Sequence, residues 1–199
     1  MIKKLKKEII KKFYFLKMKT KLDMSKAILS MLSREFNLSG ESVKERTRAS
    51  KVVYTLESAG MKLGYGFGFY INGPYSLDLY DDLREIAFCS EYNETKDKRK
   101  WNFSKGTWER IREIDKKFIK GRDLRNLELM TSMHFLHATW RNNEDDNEMK
   151  KLFRKKHKNE TFGDDSLISE EELGRGLIDS YALIGYREYY DKADGLKKE

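Results

Sequence analysis

Residues 60–83 read GMKLGYGFGFYINGPYSLDLYDDL and contain Pro74, the only proline of the chain. Apolar residues alternate with glycine or Tyr70 through this stretch, which is the period-two pattern of a strand with one apolar face. The alternating apolar residues are Tyr65, Phe67, Phe69 and Ile71. Glycines on the opposite face are expected to let a second backbone or a helix approach closely.

The residues after this strand predict a turn and a helix start. Gly73 tolerates positive φ and Pro74 lacks a ladder donor, so Asn72-Gly73-Pro74 is expected to end the strand. Ser76 is a typical N-cap, and Asp78 suits the positive end of the helix dipole. A helix is therefore predicted over 77–87, and Gly73, Pro74 and Ser76 are assigned a structural role. Its inward residues are predicted to be Leu79, Leu83 and Ile86.

Length and composition limit the class of protein. A chain of 199 residues with 39% hydrophobic content can bury the core of one domain. Cys89 is the only cysteine, which excludes an intramolecular disulfide and a multi-cysteine zinc site. No run approaches the ~18 apolar residues that span a bilayer, and no signal peptide is recognisable. These features predict a cytoplasmic protein without a membrane span.

The net charge of +8 is concentrated in an N-terminal arm, residues 1–22, which holds nine lysines and one acid, Glu8. Its apolar residues recur at helical spacing, which predicts a lysine-rich amphipathic helix. The arm is expected either to pack on the domain, or to contact phosphates, or to lie on a membrane surface. Met18 is an alternative start of the natural chain. The recurring apolar residues are Ile2, Leu5, Ile9, Phe13 and Leu16.

Further helices are predicted from caps and periodicity. One covers 24–36, and a second opens with the capping box Ser42-x-x-Glu45 and closes at Gly60. Others cover 107–120 and 123–140, and the last opens with Ser169-x-x-Glu172 and ends at Gly185. The polar segment 142–168 is predicted to be a long connection. The apolar face of the second helix is predicted to be Ala49, Val52, Val53, Leu56 and Ala59.

A hairpin is predicted after the helix over 77–87, with strands at 88–92 and 100–103 around a basic tip. Helices followed by a hairpin with a basic tip are typical of a winged helix-turn-helix. The predicted fold class is α+β, mostly α-helical, with a winged-helix-like core, a small hairpin wing and a helical C-terminal half. The predicted division is an arm at 1–22, a winged-helix-like domain at 23–120, a helical half at 121–187 and a polar tail at 188–199.

The segment YINGPYSLDLYDDL, residues 70–83, resembles the Tyr/Gly-Pro-Tyr-Ser-x-x-Leu signature of the YwgA-like family of prokaryotic proteins, and more distantly the Panacea domain found near toxin–antitoxin loci. The segments LELMTSMHFL at 127–136 and SEEELGRGLIDSYALIGY at 169–186 resemble later helices of that family. The resemblance covers about residues 24–187 and implies a winged-helix-like, non-enzymatic protein. The Panacea likeness implies an antitoxin-like or adaptor role.

The first functional hypothesis is a non-enzymatic regulatory protein that contacts nucleic acid through its arm and wing. Basic side chains on the wing and on a stripe of the second helix would contact phosphates. The predicted wing contacts are Lys96, Lys98, Arg99 and Lys100, and the predicted stripe is Lys44, Arg48 and Lys51. The helix over 77–87 argues against this hypothesis, because it carries four carboxylates and one arginine. A homodimer is a possible assembly.

The alternative is a module that binds a protein partner through an aromatic rim and the acidic helix. Tyrosine offers a large contact area with a polar tip, and such residues concentrate at interfaces. The predicted rim is Tyr70, Tyr75 and Tyr80, and the predicted acidic contacts are Asp78, Asp81 and Asp82. Packing of the turn is the structural alternative for Tyr70 and Tyr75.

A metal-dependent enzyme is the remote alternative. His134 and His137 are spaced i, i+3 on one face of a predicted helix and would act as metal ligands together with Glu128 or a carboxylate from 144–148. An apolar helix with two histidines is more often a core helix. No residue is assigned a catalytic role, and neither a metal nor a cofactor is predicted.

Overall fold

The structure is a computed structural model that describes residues 26–38, 41–70, 73–88, 103–139, 145–157 and 168–196. Helices dominate these ranges, and a small two-stranded antiparallel sheet accompanies them. The predicted α+β, mostly α-helical class is confirmed. None of the helices in the described ranges is long and apolar enough to cross a bilayer.

We number the helices and strands in chain order. The helices are α1 (residues 26–35), α2 (Val43–Ser58), α3 (Leu77–Phe88), α4 (Lys105–Ile114), α5 (Leu124–Thr139), α6 (Asp146–His157) and α7 (Glu170–Leu196). A π-helical turn, Asp115–Ile119, follows α4. The strands are β1 (Gly68–Tyr70) and β2 (Gly73–Tyr75).

The predicted caps begin the helices as expected. In the Ser42 box the Glu45 amide donates to Ser42 Oγ at 3.2 Å, and the Ser42 amide donates to Glu45 Oε2 at 2.9 Å. Ser169 and Glu172 form the same reciprocal pair. Ser76 Oγ accepts from the Leu79 amide at 3.4 Å, which satisfies a donor of the first turn of α3. These caps depend only on residues within one helical turn.

One hydrophobic core joins the two predicted halves of the chain. The predicted apolar face of α2 lies at its centre, and all five of its members are fully buried. Leu127 and Met130 of α5, and Leu183 and Tyr186 of α7, belong to the same core. A second cluster fills the space between α5, α6 and α7 around Met133. Residues on both sides of the predicted boundary at 120 and 121 therefore share one core.

The hairpin differs from the prediction around Pro74. Pro74 lies inside β2 and pairs with Phe69, while Gly68 pairs with Tyr75 and Tyr70 with Gly73. β1 therefore ends at Tyr70, and Gly73 and Pro74, which were predicted to stop it, belong to the second strand. In an extended strand the N and C=O groups of one residue point to the same side, and the Pro74 carbonyl points away from β1 to a lysine of α2. The absence of an N–H on Pro74 therefore removes no hydrogen bond between β1 and β2.

Within the described ranges, no second backbone approaches the glycines that alternate with the aromatic residues. Gly64, Gly66 and Gly68 are exposed, and a Cβ built on each would meet no atom of the described residues within 4 Å. The close approach occurs instead at Gly73. The prediction was right about the inward aromatic face, since Phe67 packs edge-on against Tyr54 with the ring centroids 5.1 Å apart.

Three further predictions need correction. The predicted connection 142–168 contains α6, whose Met149 and Phe153 are buried against α5 and α7. α7 continues through Gly185 to Leu196, because the tertiary contacts of Leu183 and Tyr186 sustain the helix. Phe88 ends α3 and does not start a wing strand. The rest of the first wing strand and the basic tip lie outside the described residues.

Candidate functional site

Three tyrosines form a continuous aromatic surface on the outer side of the hairpin, which we call the tyrosine surface. The ring centroids of Tyr70 and Tyr75 are 5.7 Å apart, and those of Tyr75 and Tyr80 are 6.0 Å apart. Tyr70 is 63% exposed, and the other two are half-buried. The structure therefore brings the predicted aromatic rim together, partly exposed and partly packed on the turn.

Strand register and the helix start place these rings side by side. Tyr70 pairs with Gly73 and Tyr75 with Gly68, so the two tyrosines are diagonal neighbours on one face of the sheet. Ser76 follows directly and caps α3, which carries Tyr80 in its first turn. The short path from β2 into α3 thus continues the aromatic row from the sheet onto the helix.

Two arginines lie over the last ring of this row. The Arg46 guanidinium, from α2, is 5.1 Å from the Tyr80 ring centroid, and the Arg84 guanidinium, from α3, is 5.8 Å from it. Cations within about 6 Å of an aromatic centroid are attracted by its negative face. The tyrosine surface therefore already holds guanidinium groups.

The acidic residues of α3 divide into two groups. Asp78 and Asp81 are exposed. Asp82 is half-buried: it accepts from Tyr65 Oη at 3.0 Å, and its carboxylate lies 3.9 Å from the Nζ of buried Lys26, which also bonds Glu85. Burial is the main cause that raises the pKa of Asp82. The structure gives Asp82 an internal role and leaves Asp78 and Asp81 of the predicted acidic contacts facing solvent.

The tyrosine surface lies within electrostatic range of Asp81. The pKa of Tyr75 is raised by partial burial first, and then by Tyr80, Asp81 and Tyr70, whereas Arg46 opposes the shift. A negative charge near the hydroxyl disfavours the phenolate. The Asp81 carboxylate therefore acts electrostatically on Tyr75, the central residue of the aromatic row.

A buried polar layer lies beneath the same hairpin, formed by Lys51, Gly73, Pro74, Glu128 and Ser132. Lys51 is 2% exposed, and its Nζ donates to the Pro74 carbonyl at 3.0 Å. Burial lowers the pKa of Lys51 to about 7, and the nearby Glu128 carboxylate opposes that shift. The prediction that Lys51 belongs to a phosphate-contacting stripe was wrong, because its amine is enclosed.

Only glycine fits at position 73. Gly73 has φ of +85°, and a Cβ there would lie 2.0 Å from Ser132 Oγ and 3.3 Å from Lys51 Nζ. Ser132 Oγ is buried and has no hydrogen-bond partner among the described residues. The predicted structural role of Gly73 thus has two physical causes, positive φ and the close approach of α5.

The two histidines of α5 have separate neighbours. His134 is 6% exposed, and its Nδ1 is 2.8 Å from Tyr54 Oη. Burial lowers the pKa of His134 to about 4, and His137 and Arg187 add to the shift. His137 packs edge-on against Tyr181 with the ring centroids 4.9 Å apart. The described ranges contain no group of three or more His, Cys, Asp or Glu that could hold a metal ion.

The predicted nucleic-acid contacts do not form a patch within the described residues. Lys44 is exposed, whereas Arg48 is half-buried and donates to the Arg122 carbonyl at 3.1 Å. Of the three residues of the predicted stripe, Lys44 is therefore the one that is exposed, because Arg48 is half-buried and Lys51 is enclosed. The predicted wing contacts lie outside the described residues, as does the arm at 1–22.

A second surface feature is an open groove of about 630 Å³ beside α7. Its polar groups are already engaged with one another: Lys117 Nζ is 2.8 Å from Glu113 Oε1 and 4.8 Å from the Tyr186 ring centroid. The Tyr186 hydroxyl donates to Glu113 Oε2 at 3.2 Å. No convergent set of polar groups points into the groove from these residues.

Sequence reasoning missed the buried polar layer, although a signal was present. Lys51 is the only charged residue in 49–56, and Glu128 is the only one in 126–140. A single charge inside an uncharged stretch of helix indicates a buried group, because buried charges are retained only when a partner is at hand. Two such charges of opposite sign on separate helices predict a buried pair.

The chain matches no protein-family model, no curated protein and no solved structure. The resemblance to the YwgA-like family and to the Panacea domain therefore stays a prediction.

Proposed function

We propose that this protein is a non-enzymatic module that binds a protein partner through the tyrosine surface. The observation that carries this proposal is the aromatic row on the hairpin and α3, with Tyr70 63% exposed at its open end. Exposed tyrosines beside arginine are typical of the residues that dominate binding energy at protein interfaces.

The rigid support of this surface favours a binding role. Lys51 donates to Pro74 from below and Ser132 lies close to Gly73, so β2 is packed in place before any partner arrives. A preformed surface loses less conformational entropy on binding than one that must become ordered.

Electrostatics favour a protein over a nucleic acid at this surface. Asp78 and Asp81 are exposed beside the tyrosines, and carboxylates facing a duplex would oppose the counterion release that drives phosphate binding. Nucleic-acid binding by the arm and by the predicted wing stays a prediction.

Two measurements test the proposal. A photoreactive phenylalanine analogue placed at Tyr70 of the full chain should crosslink one protein in the source cell, and the same analogue at Tyr189, which is 68% exposed on α7, should not. The identified partner, once purified, should bind the Tyr70→Ala chain about tenfold or more weakly than wild type, as expected for an interface hot spot. Equal affinities would overturn the proposal.

A labelled random DNA duplex provides the competing test. Its binding is measured by fluorescence anisotropy over a salt series, for the full chain and for a variant that begins at Met18. Steep salt dependence that is unchanged by Tyr70→Ala, with no protein partner at Tyr70, would replace the proposal with nucleic-acid binding. Binding lost in the shortened variant would assign the contacts to the arm.

A further inference from the structure

α3 presents two neighbouring stripes of side chains that are fully or partly exposed. Residues spaced i, i+3 and i+7 share one face of a helix. The first stripe is Leu77, Tyr80 and Arg84, and the second is Asp78, Asp81 and Glu85. The first stripe meets α2, because the Arg46 guanidinium is 5.1 Å from the Tyr80 ring centroid. The Tyr80 end of the tyrosine surface therefore combines basic and apolar groups, and the stripe beside it is acidic.

Arg84 differs from other exposed arginines in the partner that its guanidinium has. It lies over the Tyr80 ring, 5.8 Å from the centroid, and it bonds no carboxylate or carbonyl among the residues that the structure describes. Four other exposed arginines in those ranges form ion pairs with carboxylates. They are Arg112, Arg154, Arg175 and Arg187. The hydrogen-bond donors of Arg84 are therefore available to a ligand.

The contact with the Tyr80 ring prepares Arg84 to bind an anion. A guanidinium on an aromatic face keeps its N–H donors, which point outward in its own plane and match the two oxygens of a carboxylate. The ring also restricts the arginine side chain, so less conformational entropy is lost on binding. Arg46 adds a second positive charge beside the same ring. This end of the tyrosine surface is therefore suited to receive a carboxylate.

The acidic stripe limits the charge that such a ligand can carry. Asp78 and Asp81 are exposed, and they repel a phosphate dianion or a run of acidic residues more than a single carboxylate. Leu77 is 64% exposed one turn before Tyr80 and offers an apolar contact. These groups favour a ligand that has one acidic side chain among apolar and neutral ones.

We propose that the protein partner places one aspartate or glutamate side chain on the Arg84 guanidinium, at the Tyr80 end of the tyrosine surface, and an apolar side chain on Leu77. This proposal rests on the proposed function and specifies the chemistry of the partner. The ion pair with Arg84 would select the acidic residue, and the tyrosines would supply contact area.

Three matched peptides test the proposal on the full-length, ¹⁵N-labelled chain. The first is acetyl-Ala-Leu-Ser-Glu-Ser-Leu-Ala-amide. The second replaces glutamate with glutamine, which keeps the shape and removes the charge. The third replaces glutamate with phosphoserine, which distinguishes a phosphate from a carboxylate. The Nε–Hε resonance of Arg84, assigned by its loss in Arg84→Lys, reports binding at this side chain, and the backbone amides report the location.

The glutamate peptide should shift the Arg84 Nε–Hε resonance and the amides of Leu77 and Tyr80 in a saturable way. The glutamine peptide should bind about threefold or more weakly, as expected from loss of an exposed ion pair. Equal affinity for glutamate and glutamine, absence of shifts, or shifts confined to other surfaces would each overturn the proposal. Tighter binding of the phosphoserine peptide would make a phosphate the ligand and would also overturn it.

Two variants of Arg84 and a control locate the selective group. Arg84→Gln should abolish the preference for glutamate over glutamine, and Arg84→Lys should keep a reduced preference because it restores the charge without the planar fork. Arg175→Gln is the control, since Arg175 is exposed on α7 and already pairs with Glu171. A preference that survives Arg84→Gln, or that Arg175→Gln lowers equally, would overturn the assignment to Arg84.

The partner found by crosslinking at Tyr70 separates this proposal from the proposed function. Its affinity should fall about threefold or more with Arg84→Gln. If its affinity depends on Tyr70 but is unchanged by Arg84→Gln, the proposed function stands and the ion pair with Arg84 does not. If Arg84→Gln instead abolishes binding of the random DNA duplex, a nucleic-acid phosphate is the ligand and the proposal is overturned.

Discussion

Polar groups are buried on the inner side of the hairpin and partly exposed on its outer side. On the inner side Lys51 and Glu128 are less than a tenth exposed, and the Lys51 amine bonds the carbonyl of Pro74. On the outer side Tyr70 is 63% exposed, and Tyr75 and Tyr80 line up beside it. The inner side sets the position of the hairpin, and the outer side is left available for contacts. Substitutions on the two sides should therefore separate stability from binding.

The largest expected effect comes from breaking the buried pair. Lys51→Met keeps the aliphatic stem but leaves the Glu128 carboxylate and the Pro74 carbonyl buried without the amine. Loss of one partner of a buried ion pair costs about 3–5 kcal/mol. We expect a decrease of that size in the free energy of unfolding, measured by urea denaturation at pH 6, where an amine with a pKa of about 7 is mostly protonated.

The double variant Lys51→Met/Glu128→Leu is the matched control. It removes both charges, so most of the lost stability should return, because apolar replacement of a whole buried pair is often neutral or stabilising. If Lys51→Met alone is as stable as wild type, the stability of the buried polar layer does not depend on the Lys51 amine.

Acidification should lower the free energy of unfolding, because His134 is buried and binds a proton less readily in the folded chain than in the unfolded chain. Burial lowers the pKa of His134 to about 4, below its ordinary value of 6.5. Between these values the unfolded chain binds more protons than the folded chain, so the free energy of unfolding rises with pH in this window and reaches a plateau above it. The contribution is on the order of 3 kcal/mol.

Urea denaturation from pH 4 to 7 measures this effect against His134→Gln, whose stability should change less across the window. The comparison cancels the protonation of carboxylates common to both proteins. Tyr54, His137 and Arg187 are the polar and charged groups that act on His134. Parallel pH profiles for the two proteins would contradict the prediction.

Gly73→Ala should destabilise the protein by about 2–3 kcal/mol, because it combines positive φ with overpacking. The added Cβ would lie 2.0 Å from Ser132 Oγ. Gly68→Ala on the outer side is the control, since its Cβ would meet no atom of the described residues within 4 Å. Thermal unfolding should show a clear decrease in melting temperature for Gly73→Ala and none for Gly68→Ala. Similar melting temperatures for the two variants would contradict the prediction that the inner side is closely packed and the outer side is open.

The smallest effect on stability is expected from Tyr70→Ala. Its ring is mostly exposed, and surface substitutions usually change the free energy of unfolding by less than about 0.5 kcal/mol. Urea denaturation should therefore give nearly the wild-type curve, even though the proposed partner is expected to bind this variant about tenfold or more weakly. A loss of several kcal/mol would mean that the ring packs the turn and is not primarily a binding residue.

Signals that act within one helical turn allowed most elements to be predicted. The Ser42, Ser76 and Ser169 caps are where the sequence indicated them, and so is the buried face of α2. α6 was missed because its sequence is strongly polar and only three apolar residues, Met149, Leu152 and Phe153, are seen to pack it on the second cluster within the described residues. The end of α7 was misplaced at Gly185 because packing outweighs the cost of a helical glycine.

The candidate site could be predicted only in part. The three tyrosines were recognisable from their spacing around Gly73-Pro74, but their arrangement as one row depends on strand register and on the path into α3. The arginine from α2 over Tyr80 could not be found, since it comes from a different element. The acidic helix was identified correctly, but burial and Lys26 divide its carboxylates into internal and exposed groups.

The sequence by itself determined the helix starts after Ser42, Ser76 and Ser169, the inward faces of α2 and α3 and the aromatic character of the hairpin, because these depend on neighbours along the chain. The tertiary structure decided which polar groups are buried. Lys51 meets Pro74 across 23 residues, and Tyr54 meets His134 across 80. Such contacts follow from how helices pack, and burial then changes the chemistry of each group: the same lysine is a solvated cation on a surface and a structural donor beneath the hairpin.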